Sequence, residues 1–121
     1  YYLRKEQHYE LRNYCISKGI DFNSTPFGNE EVDLLNDLGV EFFKVASMDL
    51  NNLPFLKYMA QFKKTMVLST GMANLGEIEK AIETIEKEGN RFSFVVGRLL
   101  WERASFFCDQ NKNKNNPFCI K

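Results

Sequence analysis

Phe42-Phe43-Lys44-Val45-Ala46-Ser47 is a short, mostly apolar run with a lysine at its centre, and what flanks it decides the fold. Downstream, Asn52 and Pro54 open a helical pattern in which Phe55, Met59 and Phe62 face inward. A second apolar run follows at Thr65 to Ser69. Asn74 with Glu77 then reads as a capping box, and Leu75, Ile78, Ala81, Ile82 and Ile85 form one stripe that Gly89-Asn90 closes. Upstream, Asn29 is positioned to cap a helix with Glu30 and Glu31 in its first turn. Val32, Leu35 and Leu38 line one face of it, and Gly39 ends it. Gly19 to Ser24 and Phe92 to Val96 complete four predicted strands, and a charged helical stretch ending at Lys18-Gly19 precedes the first.

Strict strand-then-helix alternation predicts a parallel sheet covered by helices, either an open doubly wound sheet or a closed barrel. A full barrel takes ~250 residues, so on that reading the 121 residues hold about half of one. Apolar residues make up 44% of the chain, enough for a globular core, and 16 basic side chains balance 16 acidic ones. No basic stripe points to nucleic acid or to an anionic membrane. The apolar runs fall far short of the ~20 residues of a membrane span. Cys15, Cys108 and Cys119 form no paired motif, so a reduced, cytoplasmic setting is expected. His8 is the lone histidine and supplies no local metal motif. The start at Tyr1-Tyr2 suggests that the true N-terminus lies upstream.

Hydroxyl residues recur at the exits of three predicted strands: Ser24-Thr25-Pro26, Ser47, and Ser69-Thr70-Gly71. Strand C-termini form the functional edge of parallel α/β folds, and hydroxyls there suit phosphate or carboxylate oxygens. Each also fits a plain turn or helix cap. Lys44 is the sharpest single residue, because a strand buried on both faces rarely carries a cation. It either pairs with an anion inside the fold or snorkels from an edge. Asp49, just beyond, fits a general acid/base or a helix cap. Met48, Met59, Met66 and Met72 read as packing residues.

Taken in order, Lys18-Gly-Ile-Asp-Phe-Asn-Ser-Thr-Pro-Phe27, Phe43-Lys-Val-Ala-Ser-Met-Asp49 and Val67-Leu-Ser-Thr-Gly-Met72 resemble the N-acetylneuraminate (sialic acid) synthase family. That family includes the legionaminic and pseudaminic acid synthases. The resemblance runs from near residue 9 to Asn90. It implies a partial (β/α)8 TIM barrel, about four consecutive βα units, over residues 1–96, with a divergent tail over 97–121. It also implies a cytoplasmic transferase that condenses phosphoenolpyruvate with an N-acetylated amino sugar into a nine-carbon 2-keto sugar acid. Thr25, Lys44, Ser47 and Ser69 are implied to hold phosphoenolpyruvate, and Asp49 to act near the reacting centre. A divalent metal, Mn²⁺ or Mg²⁺, is implied for the whole enzyme as a Lewis acid, with its ligands outside this chain. Full-length relatives are expected to be homodimers.

Two departures stand out. Met48 occupies a position that is usually Gly in the family. After Asn90 the expected Leu-His-Cys-like strand end is replaced by Phe92-Ser-Phe-Val-Val-Gly-Arg98. The tail then runs into the polar tract Asp109-Gln-Asn-Lys-Asn-Lys-Asn-Asn116, which cannot cover a core and is expected to be poorly ordered or non-native in origin. A frame change or truncation near Gly89-Asn90 would account for both the divergence after Asn90 and the polar ending. The fragment alone is expected to be inactive. The competing readings are a decayed α/β fragment without a ligand, or a barrel aldolase working through a Lys44 Schiff base.

Overall fold

The computed structural model describes residues 3–90, together with the backbone of 93–96. In chain order it contains α1 (Lys5–Ser17), α2 (Asn29–Asp37), β1 (Phe42–Val45), a 3-10 turn (Ser47–Asp49), α3 (Leu53–Ala60), β2 (Thr65–Ser69), α4 (Leu75–Lys87) and β3 (Ser93–Val96). The strands form one parallel sheet in the order β1-β2-β3. Each crossover runs through a helix, as parallel neighbours require.

Period-two alternation splits the sheet into unlike faces. Phe43 and Val45 of β1 and Met66 and Leu68 of β2 are fully buried. They share a core with Val32, Leu35 and Leu38 of the α2 region, Leu56, Met59 and Ala60 of α3, and Ile78, Ala81 and Ile85 of α4. Phe62 meets the Phe43 ring edge-on at 5.8 Å. The other face, with Phe42, Lys44, Thr65, Val67 and Ser69, is only half-buried. Among the described residues, helices cover only one face of this sheet.

The caps of α3 and α4 follow the sequence closely. Asn52 Oδ1 accepts from the Phe55 amide at 3.4 Å. Asn74 and Glu77 form a reciprocal capping box, with bonds of 3.0 and 2.9 Å. Gly39 and Gly89 end α2 and α4 at φ +71° and +74°, a conformation that costs little without a Cβ. Glu83 and Lys87 pair at 3.7 Å on the exposed face of α4, a contact worth little.

Several expectations need correction. The segment Gly19 to Ser24 is extended but belongs to no strand. Asn23 explains why: its Nδ2 donates to the Phe42 carbonyl at 3.0 Å, and its Oδ1 accepts from the Ser24 amide at 2.7 Å. Side-chain bonds take backbone groups that a ladder would use. The described residues therefore hold three strands where four were expected. β1 stops at Val45, because Ala46 caps the 3-10 turn and its carbonyl accepts from the Asp49 amide at 3.0 Å. Gly28, not Asn29, caps α2. Leu75 lies outside the α4 stripe and is half exposed. Residues 97–121, including the polar tract, Cys108 and Cys119, lie outside the described residues.

Candidate functional site

Lys44 pairs in register with Val67. Parallel partners present their side chains to the same face, and Ser69 follows Val67 by two residues. Lys44 and Ser69 therefore share the face turned away from α2, α3 and α4. Among the described residues nothing pairs with the Lys44 ammonium. The bulky set, Phe43 and Val45, meets the helices, and Lys44 lies on the opposite, half-buried face of β1.

Ser47 and Asp49 lie in the turn that leaves β1 at its C-terminal end, the same edge at which Ser69 ends β2. Both are half-buried. Asp49 Oδ2 is a buried oxygen with no hydrogen-bond partner, and the sole such side-chain atom among the described residues. An unpaired buried acceptor costs roughly 1–3 kcal/mol, so this oxygen carries a cost that no contact among the described residues offsets. Thr25 is half-buried on the extended segment, just before buried Pro26. The Asn23 bond ties that segment to the start of β1, so the chain arrives beside β1 and reaches Thr25 two residues later. Register thus joins Lys44 with Ser69, the turn adds Ser47 and Asp49 at the same edge, and Thr25 is related to them only through the Asn23 tether. Thr70, next in the hydroxyl motif, is almost fully buried, and its carbonyl accepts from the Ala73 amide at 3.1 Å, giving it a turn-forming role.

The sequence reading missed a set of clamps at the opposite edge of the sheet. Lys64 Nζ donates to the Val40 carbonyl at 2.6 Å, and Asn90 Nδ2 to the Lys64 carbonyl at 2.8 Å. Lys63 Nζ reaches the Glu88 carbonyl, and Lys57 pairs with Glu88 at 3.3 Å. These groups bind the strand N-termini together, so that edge is structural. A buried asparagine after a helix-ending glycine was the one available signal.

No group of three His, Cys, Asp or Glu side chains converges among the described residues. His8 lies on α1 with Nδ1 3.1 Å from the Arg4 carbonyl. The described side chains offer no such set to a divalent metal.

The arrangement defines an α/β chain with a parallel sheet, carrying a cation and hydroxyls toward the C-terminal end of its strands. The chain belongs to the NeuB family, which it matches over residues 1–96. It is 51% identical over 82 residues to the N,N'-diacetyllegionaminic acid synthase of Campylobacter jejuni, covering 68% of this chain and 25% of the relative. Over 90 residues it is 32% identical to the human N-acetylneuraminate-9-phosphate synthase, covering 74% of this chain and 25% of that protein. Among solved structures it resembles the N-acetylneuraminic acid synthetase of Leptospira borgpetersenii in complex with citrate. That likeness has a TM-score of 0.74 and 29% identity over 78% of this chain and 33% of the other. A DAHP synthase from Thermotoga maritima shares the fold at a TM-score of 0.67 with 16% identity, over 75% and 27% of the two chains. The chain spans about a quarter of the length of the curated relatives it matches. No helix among the described residues is long and apolar enough to cross a membrane.

Proposed function

We propose that this chain carries part of the phosphoenolpyruvate site of a synthase that joins phosphoenolpyruvate to an N-acetylated amino sugar, yielding a nine-carbon 2-keto sugar acid and phosphate. The observation that carries the reading is the common face of Lys44 and Ser69, with Lys44 unpaired among the described residues. A multiply charged phosphate ester compensates an inward ammonium, and charge-assisted bonds from Lys44 are about twice as strong as neutral ones. Thr25, Ser47 and Ser69 add neutral donors that orient the anion without further charge. Asp49, with its unpaired oxygen, holds a proton-bearing group of the substrate or passes its proton. Family membership and the names of the relatives support a sugar acid product.

The complete enzyme needs more than these residues: a divalent metal (Mn²⁺ or Mg²⁺) for the aldehyde, and the remaining strands of the barrel. In this proposal the complete enzyme is a cytoplasmic homodimer, residues 1–96 are its barrel part and 97–121 a divergent tail, and the isolated chain does not turn over. Titration of the chain with phosphoenolpyruvate, followed by ³¹P resonance, tests the reading. Line broadening that disappears in Lys44→Gln supports it; identical spectra with and without Lys44 overturn it.

A further inference from the structure

From Ile20 to Pro26 the chain joins no strand. Phe22 packs against the core and Pro26 is buried, so apolar contact holds both ends of this stretch to the body. Asn23 reaches the sheet itself. Its Nδ2 donates to the Phe42 carbonyl at 3.0 Å, and its Oδ1 accepts from the Ser24 amide at 2.7 Å. One short amide therefore grips β1 and also fixes the backbone that leads to Thr25. Among the described residues no hydrogen bond holds Thr25 itself. Thr25 is two residues past Asn23, as Lys44 is past Phe42. The stretch and β1 are joined through α2, the kind of crossover that parallel neighbours use, so both run from the tether toward the same edge. Two extended residues advance about 7 Å on either side. The tether thus brings Thr25 level with Lys44, although no ladder sets a register between them.

Resting on the function proposed above, we propose that Asn23 is a positioning residue, which holds Thr25 beside Lys44 for the phosphoenolpyruvate anion and acts through Thr25 rather than on the anion. Phe22 and Pro26 keep the stretch against the core without it. Apolar contact is non-directional, however, and fixes no level along β1. Without the tether, Thr25 has to be set in place at the moment the anion binds, and affinity falls by the cost of that ordering. The loss cannot exceed what Thr25 itself contributes. That ceiling separates positioning from general support of the fold.

A double-mutant cycle in the 121-residue chain tests this role. Phosphoenolpyruvate affinity is read by ³¹P titration, and the fold by the ¹³C-methyl resonances of Met59 and Met66, both fully buried in the core. Asn23→Ala and Thr25→Val are each expected to weaken binding about fivefold. The double variant should bind no more weakly than Thr25→Val alone, with the core methyls in place throughout. An Asn23→Ala loss of the same factor in the Thr25→Val background shows that the asparagine acts on the fold at large, and overturns the positioning role. Unchanged affinity in either single variant overturns it as well, and so does displacement of the core methyls by Asn23→Ala. Each of these outcomes leaves Lys44-dependent binding, and with it the proposed function, standing. Absence of Lys44-dependent binding in the unsubstituted chain removes both.

Discussion

Lys44 and Ser69 occupy the same face of two adjacent parallel strands, because Lys44 is in register with Val67 and Ser69 lies two residues beyond Val67. Phe43 and Leu68 occupy the opposite face, fully buried under the helices. The pleat thus separates the proposed binding face from the core, and substitutions on the two faces are expected to have different consequences.

On the open face, Lys44→Gln is expected to weaken phosphoenolpyruvate binding at least tenfold, with stability changed by less than about 0.5 kcal/mol. Calorimetric titration and urea denaturation of the same samples check both halves. A large stability loss with unchanged affinity would mean that Lys44 is structural.

On the helix-covered face, Leu56→Ala removes a fully buried side chain at the centre of the core. The expected cost is about 2–5 kcal/mol, read from the urea midpoint. In a chain of this size such a loss approaches the whole stability, so the variant is expected to be largely unfolded at 37 °C.

At the structural edge, Asn90→Ala leaves the Lys64 carbonyl without its side-chain donor. A destabilisation of about 1–3 kcal/mol is expected. Amide exchange should rise around residues 64–66 and 90 before it rises in α2.

Asp49 presents the opposite case. Its buried Oδ2 has no partner, so Asp49→Ala is expected to raise stability by about 1 kcal/mol, while abolishing turnover in any full-length synthase that contains this segment. A stabilised variant with normal turnover would remove Asp49 from the chemistry.

The Tyr58 hydroxyl donates to Asp33 Oδ1 at 2.7 Å, linking α3 to α2. That hydrogen bond, followed by desolvation and the Asp33 charge, raises the Tyr58 pKa above its ordinary 10.0. The folded state thus holds the phenol proton more tightly than the unfolded state. The contribution to stability is full below pH ~10 and is lost as pH rises through the higher folded value. Ultraviolet titration of the tyrosines should show one late phenol that returns to the ordinary range in Asp33→Asn.

Much of this architecture is legible along the chain because its signals are local. The Asn74–Glu77 capping box, the Asn52 cap and the glycines after α2 and α4 all act within one helical turn, so the residues that make each bond are neighbours in sequence. Alternation in Phe42–Val45 and Thr65–Ser69 likewise follows from the pleat alone. The Asn23 tether spans 19 residues, and the Asn90 and Lys64 clamps 26 and 24. No periodicity encodes such contacts. The missing first strand follows from the same limit, since its apolar content says nothing about its own Asn23 bonding the distant Phe42 carbonyl.

For the site, the residue types in order carried the hydroxyls, the lysine and the family resemblance, because the identity of a side chain sets its chemistry wherever it lies. Which way Lys44 points depends on which strand face the helices cover, a question settled when Val32, Leu56 and Ile85 close over Phe43 and Val45 rather than over Lys44. Burial of the larger apolar set is the more favourable outcome, and it leaves the cation on the other side.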